Sequence, residues 1–196
     1  MTDRKMTVVD LGKMDYDGSQ LKHCLAYEYK KVLGSTISYF IGAAAVKEHL
    51  VDLEDSLAND FIKSKKMAHF VIEIPGASIT EAVLWQRLFI TKCIDWIHAN
   101  RSIRDIMWFN RDGDDILIAL VEGDWKKLSV SIATLSRFSG LIHVGINIEV
   151  GPDCPVKAIG LSEITSNISQ FAKIVAKEFA EEYTDIVNAT YKVVER

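Results

Sequence analysis

The chain has 196 residues, of which 48% are hydrophobic and 26% charged, a balance typical of globular rather than disordered proteins. The formal net charge is −4, and lysine and arginine are scattered among acids, which argues against a nucleic-acid binder with a basic stripe. The length favours one domain spanning residues 1–196, and no run of about 18 apolar residues would cross a membrane.

Cysteine and histidine usage gives no sign of a metal site. Cys24, Cys93 and Cys154 lie far apart without a C-x-x-C pair, and the five histidines lack metal-ligand spacing. The first residues are polar, and no signal-peptide core follows them. We therefore expect a cytoplasmic protein in a reducing compartment, with neither a disulfide framework nor a bound metal.

The first third of the chain predicts strands and turns. Strands are predicted at residues 5–13, 35–42 and 68–74, the last of which ends at a Pro-Gly turn. Residues 15–19, Asp-Tyr-Asp-Gly-Ser, predict a turn because aspartate side chains bond to nearby backbone and glycine allows a positive φ. Residues 51–62 indicate a helix.

A long helix is predicted at residues 79–99, where apolar residues recur at helical spacing around most of the circumference. This helix should be largely buried, with Cys93 in its core-facing stripe. An antiparallel meander of four strands then follows, at residues 103–110, 116–121, 126–134 and 141–149. A second amphipathic helix is predicted at residues 166–194.

This order of elements predicts an α/β (α+β) fold with a mixed, mostly antiparallel sheet and helices against one face. Strands and helices do not alternate throughout the chain, which disfavours a doubly wound Rossmann sheet. The sequence contains neither a G-x-G-x-x-G pattern nor a P-loop that would hold a nucleotide.

The last two predicted strands carry an unusual set of small and polar residues. On one strand Lys127, Ser129 and Ser131 alternate with aliphatic residues. On the next strand His143 and Asn147 do the same. If the strands pair as a hairpin, we expect these five side chains to share one face, opposite an aliphatic face.

Two interpretations of this face remain open. Antiparallel sheets often leave one face to solvent, and the residues would then form an ordinary wet surface. However, serine, alanine, glycine and asparagine are poor strand residues, and a strand glycine such as Gly145 often marks the close approach of a ligand. The second interpretation is therefore a shallow trough for a ligand, with the Lys127 cation at one end.

The same two strands resemble a known superfamily. Lys-Leu-Ser-Val-Ser-Ile-Ala at residues 127–133 and His-Val-Gly-Ile-Asn-Ile at residues 143–148 resemble the lysine and asparagine strands of octanoyltransferases and lipoate ligases, and biotin ligases show a similar pair. The resemblance implies the class II synthetase or lipoate–biotin ligase fold. It also implies that Lys127 stabilises charge at an acyl carbonyl or phosphate and that Asn147 helps to hold the site, with His143 near the histidine position of the family.

A resemblance over nearly the whole chain is to a small archaeal family of unknown function, domain of unknown function 366. The segments that carry it are residues 15–19, 111–115, 127–134 and 158–161. This resemblance names a family and no activity.

The sequence lacks the phosphate-binding loops of these ligases. It lacks the Arg-Arg-x-x-Gly-Gly-Gly loop of lipoate ligases and the Gly-Arg-Gly-Arg loop of biotin ligases, so ATP with magnesium would lack a phosphate loop. Octanoyltransferases use a cysteine in a Pro-Cys-Gly turn after the asparagine strand. Cys154 lies near that place but out of register, and it is the candidate nucleophile of the sequence.

Other charged residues are further candidates. Arg87 interrupts the long helix and would either pair with a carboxylate at the edge of the core or bind a substrate carboxylate. Arg111, near two aspartates, could form a charged rim that binds substrate. His69 and Glu73 sit on one face of a strand, either as an acid–base pair or as a structural polar pair.

Three classes of function follow from these observations. The first is an acyl-transferring or carboxylate-activating enzyme with Lys127 as electrostatic catalyst, and an acyl-carrier protein is then an expected partner. The second is a non-catalytic module that binds a small acyl or carboxylate ligand in the trough, where Ser129 and Ser131 would line it. The third is a protein-interaction subunit that has kept only the fold, with a flat, apolar surface at this place.

Overall fold

The computed structural model describes residues 5–47, 49, 51, 61–102 and 107–194. The strands of these residues are β1 (Thr7–Lys13), β2 (Thr36–Val46), β3 (Ile62–Pro75), β4 (Trp108–Asp112), β5 (Asp115–Ala119), β6 (Lys126–Lys127), β7 (Ser129–Leu135) and β8 (Ser139–Glu149). The helices are α1 (Leu25–Lys30), α2 (Ile79–Asn100) and α3 (Ile168–Ala189), with a 3-10 turn at Leu161–Glu163.

Five of the strands form a mixed sheet in the order β1-β2-β3-β8-β7. The β1 strand runs parallel to β2, and the other neighbouring pairs are antiparallel. Two helices, α2 and α3, pack against one face of this sheet and against each other. The predicted fold class, a mostly antiparallel sheet flanked by helices, is therefore confirmed.

The predicted four-strand meander is wrong. The β4, β5 and β6 strands form a separate three-stranded sheet, and the chain leaves it for the large sheet at Leu128. The amide of Leu128 donates to the carbonyl of Ile116 in the small sheet, and its carbonyl accepts from the amide of Asn147 in the large one. One residue thus divides the strand predicted at 126–134 into β6 and β7.

The other predicted elements differ from the structure mainly at their ends. The helix predicted at residues 51–62 falls mostly outside the described residues, and Ile62 opens β3 instead. Residues 103–106 also lie outside them, so β4 is described only from Trp108. The short helix α1 was not predicted, because its six residues are too few for a helical stripe to show.

The helix-covered face of the large sheet holds the main core. Ala68, Phe70 and Ile72 of β3 point to this face, and Phe70 packs edge-on against Phe89 of α2 and Phe171 of α3. A capping box at Ser78 begins α2, whose confirmed inward stripe includes the fully buried Cys93. The outer side of α2 is more open than predicted, since Leu84 is 62% exposed.

The opposite face of the sheet, here called the polar face, carries His69, His143 and Asn147. The chain between β1 and β2 crosses part of it, and a second, smaller cluster of buried side chains forms there. Its members are Tyr16, Leu25, Phe40, Val46 and Val71. The polar side chains under this cover are withdrawn from water as completely as the main core.

The described helices include none that combines the length and the apolar character needed to span a bilayer.

Candidate functional site

The pairing of β7 with β8 decides which candidate residues share a face. Ser129 lies opposite Ile146 and Ser131 opposite Val144, and directly opposed residues in an antiparallel pair point to the same side. Both serines therefore point to the aliphatic, helix-covered side, while Val130 and Ile132 lie beside Gly145 and His143.

The expectation that Ser129 and Ser131 share a face with His143 and Asn147 is therefore wrong. The physical reason is that a register change of one residue moves a whole set of side chains to the other side of the sheet. Alternation was read correctly within β7 and β8, but their relative register depends on the crossing at Leu128. Lys127, expected on the same face, lies on β6 of the small sheet.

A cavity of about 320 Å³ nevertheless lies on the polar face at this place and reaches around the edge of β7. Its walls include most of the candidate residues and several that sequence reasoning did not select. The candidates among them are Lys127, Ser129, Ser131, His143, Asn147 and Cys154, and the additional residues include Tyr16, Ser64, Met67, Val130 and Asp115. The volume is in the range of small-molecule pockets.

The interpretation of this face as a plain wet surface does not fit. Asn147 and His143 are 5% and 2% exposed, so the face is withdrawn from solvent around the cavity. The space beside Gly145 is also not empty, because a Cβ there would lie 2.8 Å from the terminal methyl of Met67. Gly145 therefore admits a neighbouring side chain, and the free volume lies beside Met67.

Lys127 is held in a fixed place at the wall of the cavity. Its amide donates to the carbonyl of Lys157, and its own carbonyl accepts from the amide of Ile159. The Lys127 ammonium lies 2.9 Å from a carboxylate oxygen of Asp115, on the neighbouring strand β5. Burial raises the pKa of Asp115, against the lowering effect of the Lys127 charge. The Lys127 ammonium is therefore already paired with the Asp115 carboxylate in the free protein.

Asn147 forms hydrogen bonds that connect three segments at the floor of the cavity. Its side-chain oxygen accepts a hydrogen bond of 2.8 Å from the hydroxyl of Ser64, and its side-chain nitrogen lies 3.5 Å from the carbonyl of Lys127. The amide of Asn147 also donates to the carbonyl of Leu128. Asn147 therefore positions the backbone on which Lys127 stands.

Tyr16 and the buried His143 form the inner end of the cavity wall, and the buried His69 contacts His143. Nδ1 of His69 lies 3.1 Å from Nε2 of His143, and the Tyr16 ring stacks on His143 with ring centres 3.8 Å apart. Burial lowers the pKa of His69 to about 4. Burial, and next the neighbouring His69, lower the pKa of His143. Both rings are therefore neutral near pH 7, and one donates a hydrogen bond to the other.

The two candidate arginines, Arg87 and Arg111, do not line the cavity. Arg87 donates to Asp114 at 2.9 Å, which is the pairing with a core-edge carboxylate that was one of its two predicted roles. Asp114 also accepts from Ser131 and Gln86, at 2.5 and 2.8 Å, so these four residues join α2 to the small sheet and β7. Arg111 is exposed on β4 and is not among the described residues of the cavity wall.

Cys154 lies at the cavity, whereas His69 and Glu73 do not form a pair. Cys154 is half-buried in the loop after β8 and borders the cavity. His69 and Glu73 share a face but not a contact, since Glu73 binds His23 and Ser139 instead. The role of Ser64 could not be found from the sequence, because it lies in a basic segment that resembles a solvated surface.

The sequence model of the family described as Domain of unknown function (DUF366) matches residues 6–194. The chain belongs to this family. An uncharacterized protein of Methanocaldococcus jannaschii is 29% identical over 181 residues, which are 89% of this chain and 77% of that protein. A protein of unknown function from Pyrococcus horikoshi is 32% identical in a solved structure, with a TM-score of 0.83 over 97% of this chain and 99% of that chain.

More distant solved structures share the fold. The T. acidophilum protein Ta0514, a candidate lipoate protein ligase solved with bound lipoic acid, gives a TM-score of 0.55 at 9% identity. The match covers 91% of this chain and 86% of that one. Biotin protein ligase from Aquifex aeolicus, solved with biotin and ATP, gives a TM-score of 0.55 at 14% identity, over 90% and 70% of the two chains. The implied lipoate–biotin ligase fold is confirmed.

Proposed function

We propose that the cavity on the polar face binds the acyl part of a small activated carboxylic acid and that the protein transfers this acyl group. The observation that carries the proposal is the Lys127 ammonium at the wall of a cavity with apolar and polar linings. Its backbone is held by hydrogen bonds on both sides, and the ammonium itself is paired with Asp115. A fixed cation beside a carbonyl stabilises the negative charge that develops on its oxygen during acyl transfer.

The balance of charges favours a neutral carbonyl over a free acid or a triphosphate. Lys127 is already paired with Asp115, and Asp114 next to it is paired with Arg87. The two buried histidines add no positive charge, because their pKa values are lowered. A ligand with several negative charges would meet two aspartates with no surplus of cations, whereas a thioester carbonyl needs only one donor.

One part of the cavity wall is apolar and could accommodate the acyl chain. Met67, Val130 and Ile132 line the cavity on the same face as His143. Asn147 acts as a positioning residue, since it holds Ser64 and the backbone at Lys127. The distant ligases bind lipoic acid or biotin, both small carboxylic acids, which agrees with an acyl ligand of similar size here.

Binding of a soluble acyl thioester, S-octanoyl-N-acetylcysteamine, tests the proposal. We expect a saturable rise in melting temperature and slow release of free thiol in the presence of an amine acceptor. Lys127→Ala should reduce thiol release by about 10²- to 10³-fold, as loss of one charge-stabilising donor typically does. The matched control is Lys126→Ala, because Lys126 is on the same short strand but does not border the cavity.

Three results would contradict parts of this proposal. Thioester binding without any release of thiol would make the cavity a non-catalytic binding module. Saturable binding of ATP with magnesium that is lost in Lys127→Ala would favour ATP-driven ligation over transfer. Equal effects of the Lys126 and Lys127 substitutions would exclude a specific role for the Lys127 charge.

A further inference from the structure

A second cluster of reactive side chains lies at the other end of the polar face. Nε2 of His23 lies 3.2 Å from the sulfur of Cys24, and its Nδ1 lies 2.5 Å from a carboxylate oxygen of Glu73. The contact with Glu73 could not be expected from the sequence, because Glu73 is fifty residues away from His23 in the chain. A thiol and a carboxylate thus contact the two nitrogens of one imidazole ring, in a compact cluster.

We propose that Cys24 is a nucleophile activated by His23 and Glu73, and that it takes the acyl group of a small ester or thioester. An imidazole between a thiol and a carboxylate is the arrangement that lets the ring accept the thiol proton on one nitrogen while the acid fixes the other. This centre is independent of the cavity and of Lys127 in its chemistry.

Glu73 orients the His23 ring and is itself held by several hydrogen bonds. It is 6% exposed, and besides His23 it accepts from the hydroxyl of Ser139 at 2.9 Å and from the amide of Cys24 at 2.9 Å. Three donors hold the carboxylate, which fixes its position. Its contact with Nδ1 leaves Nε2 of His23 as the acceptor that faces the Cys24 thiol.

The backbone of Cys24 is strained in the way that many nucleophiles are. Its φ of 62° and ψ of 26° place it in the left-handed region, which costs a non-glycine residue free energy and is often kept at functional sites. The conformation turns the sulfur back toward the ring of the preceding residue, His23, where the two atoms can exchange a proton.

A small substrate can reach this centre. The side chain of His23 is 41% exposed, and Cys24 is half-buried. The exposed ring of Phe138 lies beside His23, with ring centres 5.5 Å apart, and offers an apolar surface for an acyl chain. The substrate class is therefore a small acyl ester or thioester with an accessible carbonyl.

The acylation step keeps atoms and electrons in balance. The sulfur of Cys24 forms a bond to the carbonyl carbon while its proton passes to Nε2 of His23. The bond between that carbon and the leaving oxygen or sulfur then breaks, and the leaving group takes the proton from His23. The products are an S-acyl cysteine and a free alcohol or thiol, and no group is oxidised or reduced.

One ligand atom from each of these three residues lies within 4.8 Å of the others, but the contacts between them favour a hydrogen-bonded cluster over a metal ion. Two ligand atoms on one tetrahedral zinc ion lie about 3.3 Å apart, given zinc–ligand distances of about 2.0–2.2 Å. The 2.5 Å contact between His23 and Glu73 is a hydrogen bond and too close for both atoms to bind one ion. Glu73 also has its oxygens occupied by three donors.

Acylation by p-nitrophenyl acetate, followed by intact-protein and peptide mass spectrometry, tests the proposal on the whole chain. We expect one acetyl group on Cys24 and a release of nitrophenol that falls by about tenfold or more in His23→Ala and in Glu73→Gln. The control His98→Ala removes an exposed histidine of α2 and should not change the rate. Cys24→Gly should remove the chemistry and keep the melting temperature, since glycine adopts this φ freely.

The proposal is overturned if Cys24 is acetylated no faster in the intact protein than in His23→Ala. It is also overturned if one equivalent of zinc binds and blocks acetylation in a manner that requires Glu73, because the cluster would then be a metal site. Circular dichroism of each variant separates loss of chemistry from loss of fold.

Discussion

The two faces of the large sheet are buried to a similar degree but by different means. On the helix-covered face, Phe70 and Ile142 are in contact with apolar side chains of α2 and α3 or of neighbouring strands. On the polar face, His69, His143 and Asn147 are just as hidden from water. The two histidines bond to each other, and Asn147 bonds to Ser64 and to the carbonyl of Lys127.

This difference between the two faces explains why the cavity lies on the polar face. An apolar core is stabilised by area removed from water and tolerates no voids, whereas polar side chains under a thin cover of loop leave a cavity beside them. The two reactive arrangements, Lys127 with Asp115 and Cys24 with His23, both border the polar side of the molecule. Three measurements test this division of roles.

The largest effect is expected from truncation of the apolar face. Phe70→Ala should lower the free energy of unfolding by about 3–5 kcal/mol, since Phe70 is fully buried between Phe89 and Phe171. Met67→Ala on the polar face should cost less, about 2 kcal/mol, because Met67 already borders a cavity. Urea unfolding of both variants measures the difference, and equal costs would show that the polar face is packed as tightly as the core.

The histidines of the polar face should make stability depend on pH. Burial lowers the pKa of His69 to about 4, below the ordinary value of 6.5 of an unfolded chain. The unfolded state therefore binds a proton first as the pH falls, and stability decreases between pH 6.5 and about 4 while it is unaffected by this group above pH 6.5. For His69 the loss is roughly 3 kcal/mol, and His143 acts in the same direction.

A double variant separates this effect from the titration of surface carboxylates. His69→Asn with His143→Gln keeps polar groups at the two positions but removes the protonation. We expect urea unfolding at pH 7.5 and pH 5 to give a smaller difference for the variant than for the natural chain. An unchanged pH dependence would mean that the histidines do not differ between the folded and unfolded states.

The smallest of the three effects concerns the floor of the cavity. Asn147→Ala should cost about 1–3 kcal/mol because the buried hydroxyl of Ser64 then keeps only its longer, 3.4 Å contact with the carbonyl of Glu149. Ser64→Ala should cost less, and the double variant should cost less than the sum of the two, by about 0.5 kcal/mol or more. Additive costs in thermal or urea unfolding would exclude the coupling of Ser64 to Asn147.

The long elements could be predicted because their signals repeat many times. The α2 helix has apolar residues at helical spacing over six turns, and the boundaries predicted from them agree with Ile79–Asn100 to one residue. The β8 strand was likewise found from its alternation. The short helix α1, six residues long, and the split between β6 and β7 depend on single residues and gave no pattern.

The structure brings some of the candidate site residues together and separates others. Lys127, His143 and Asn147 border one cavity. Ser129 and Ser131 point to the other side, and Arg87 and Arg111 are elsewhere. Whether Lys127 and its neighbours act in acyl transfer stays a prediction until the thioester experiment is done.

By itself the sequence determined which residues could share a face within each strand and which stretch would form each long helix, since these follow from repeats of two and of 3.6 residues. Only the tertiary structure decided the register of β7 against β8, the pairing of Lys127 with Asp115 and the approach of Glu73 to His23. These contacts join segments that are far apart in the chain or separated by a turn. Their geometry depends on how the whole sheet is assembled, which no local pattern encodes.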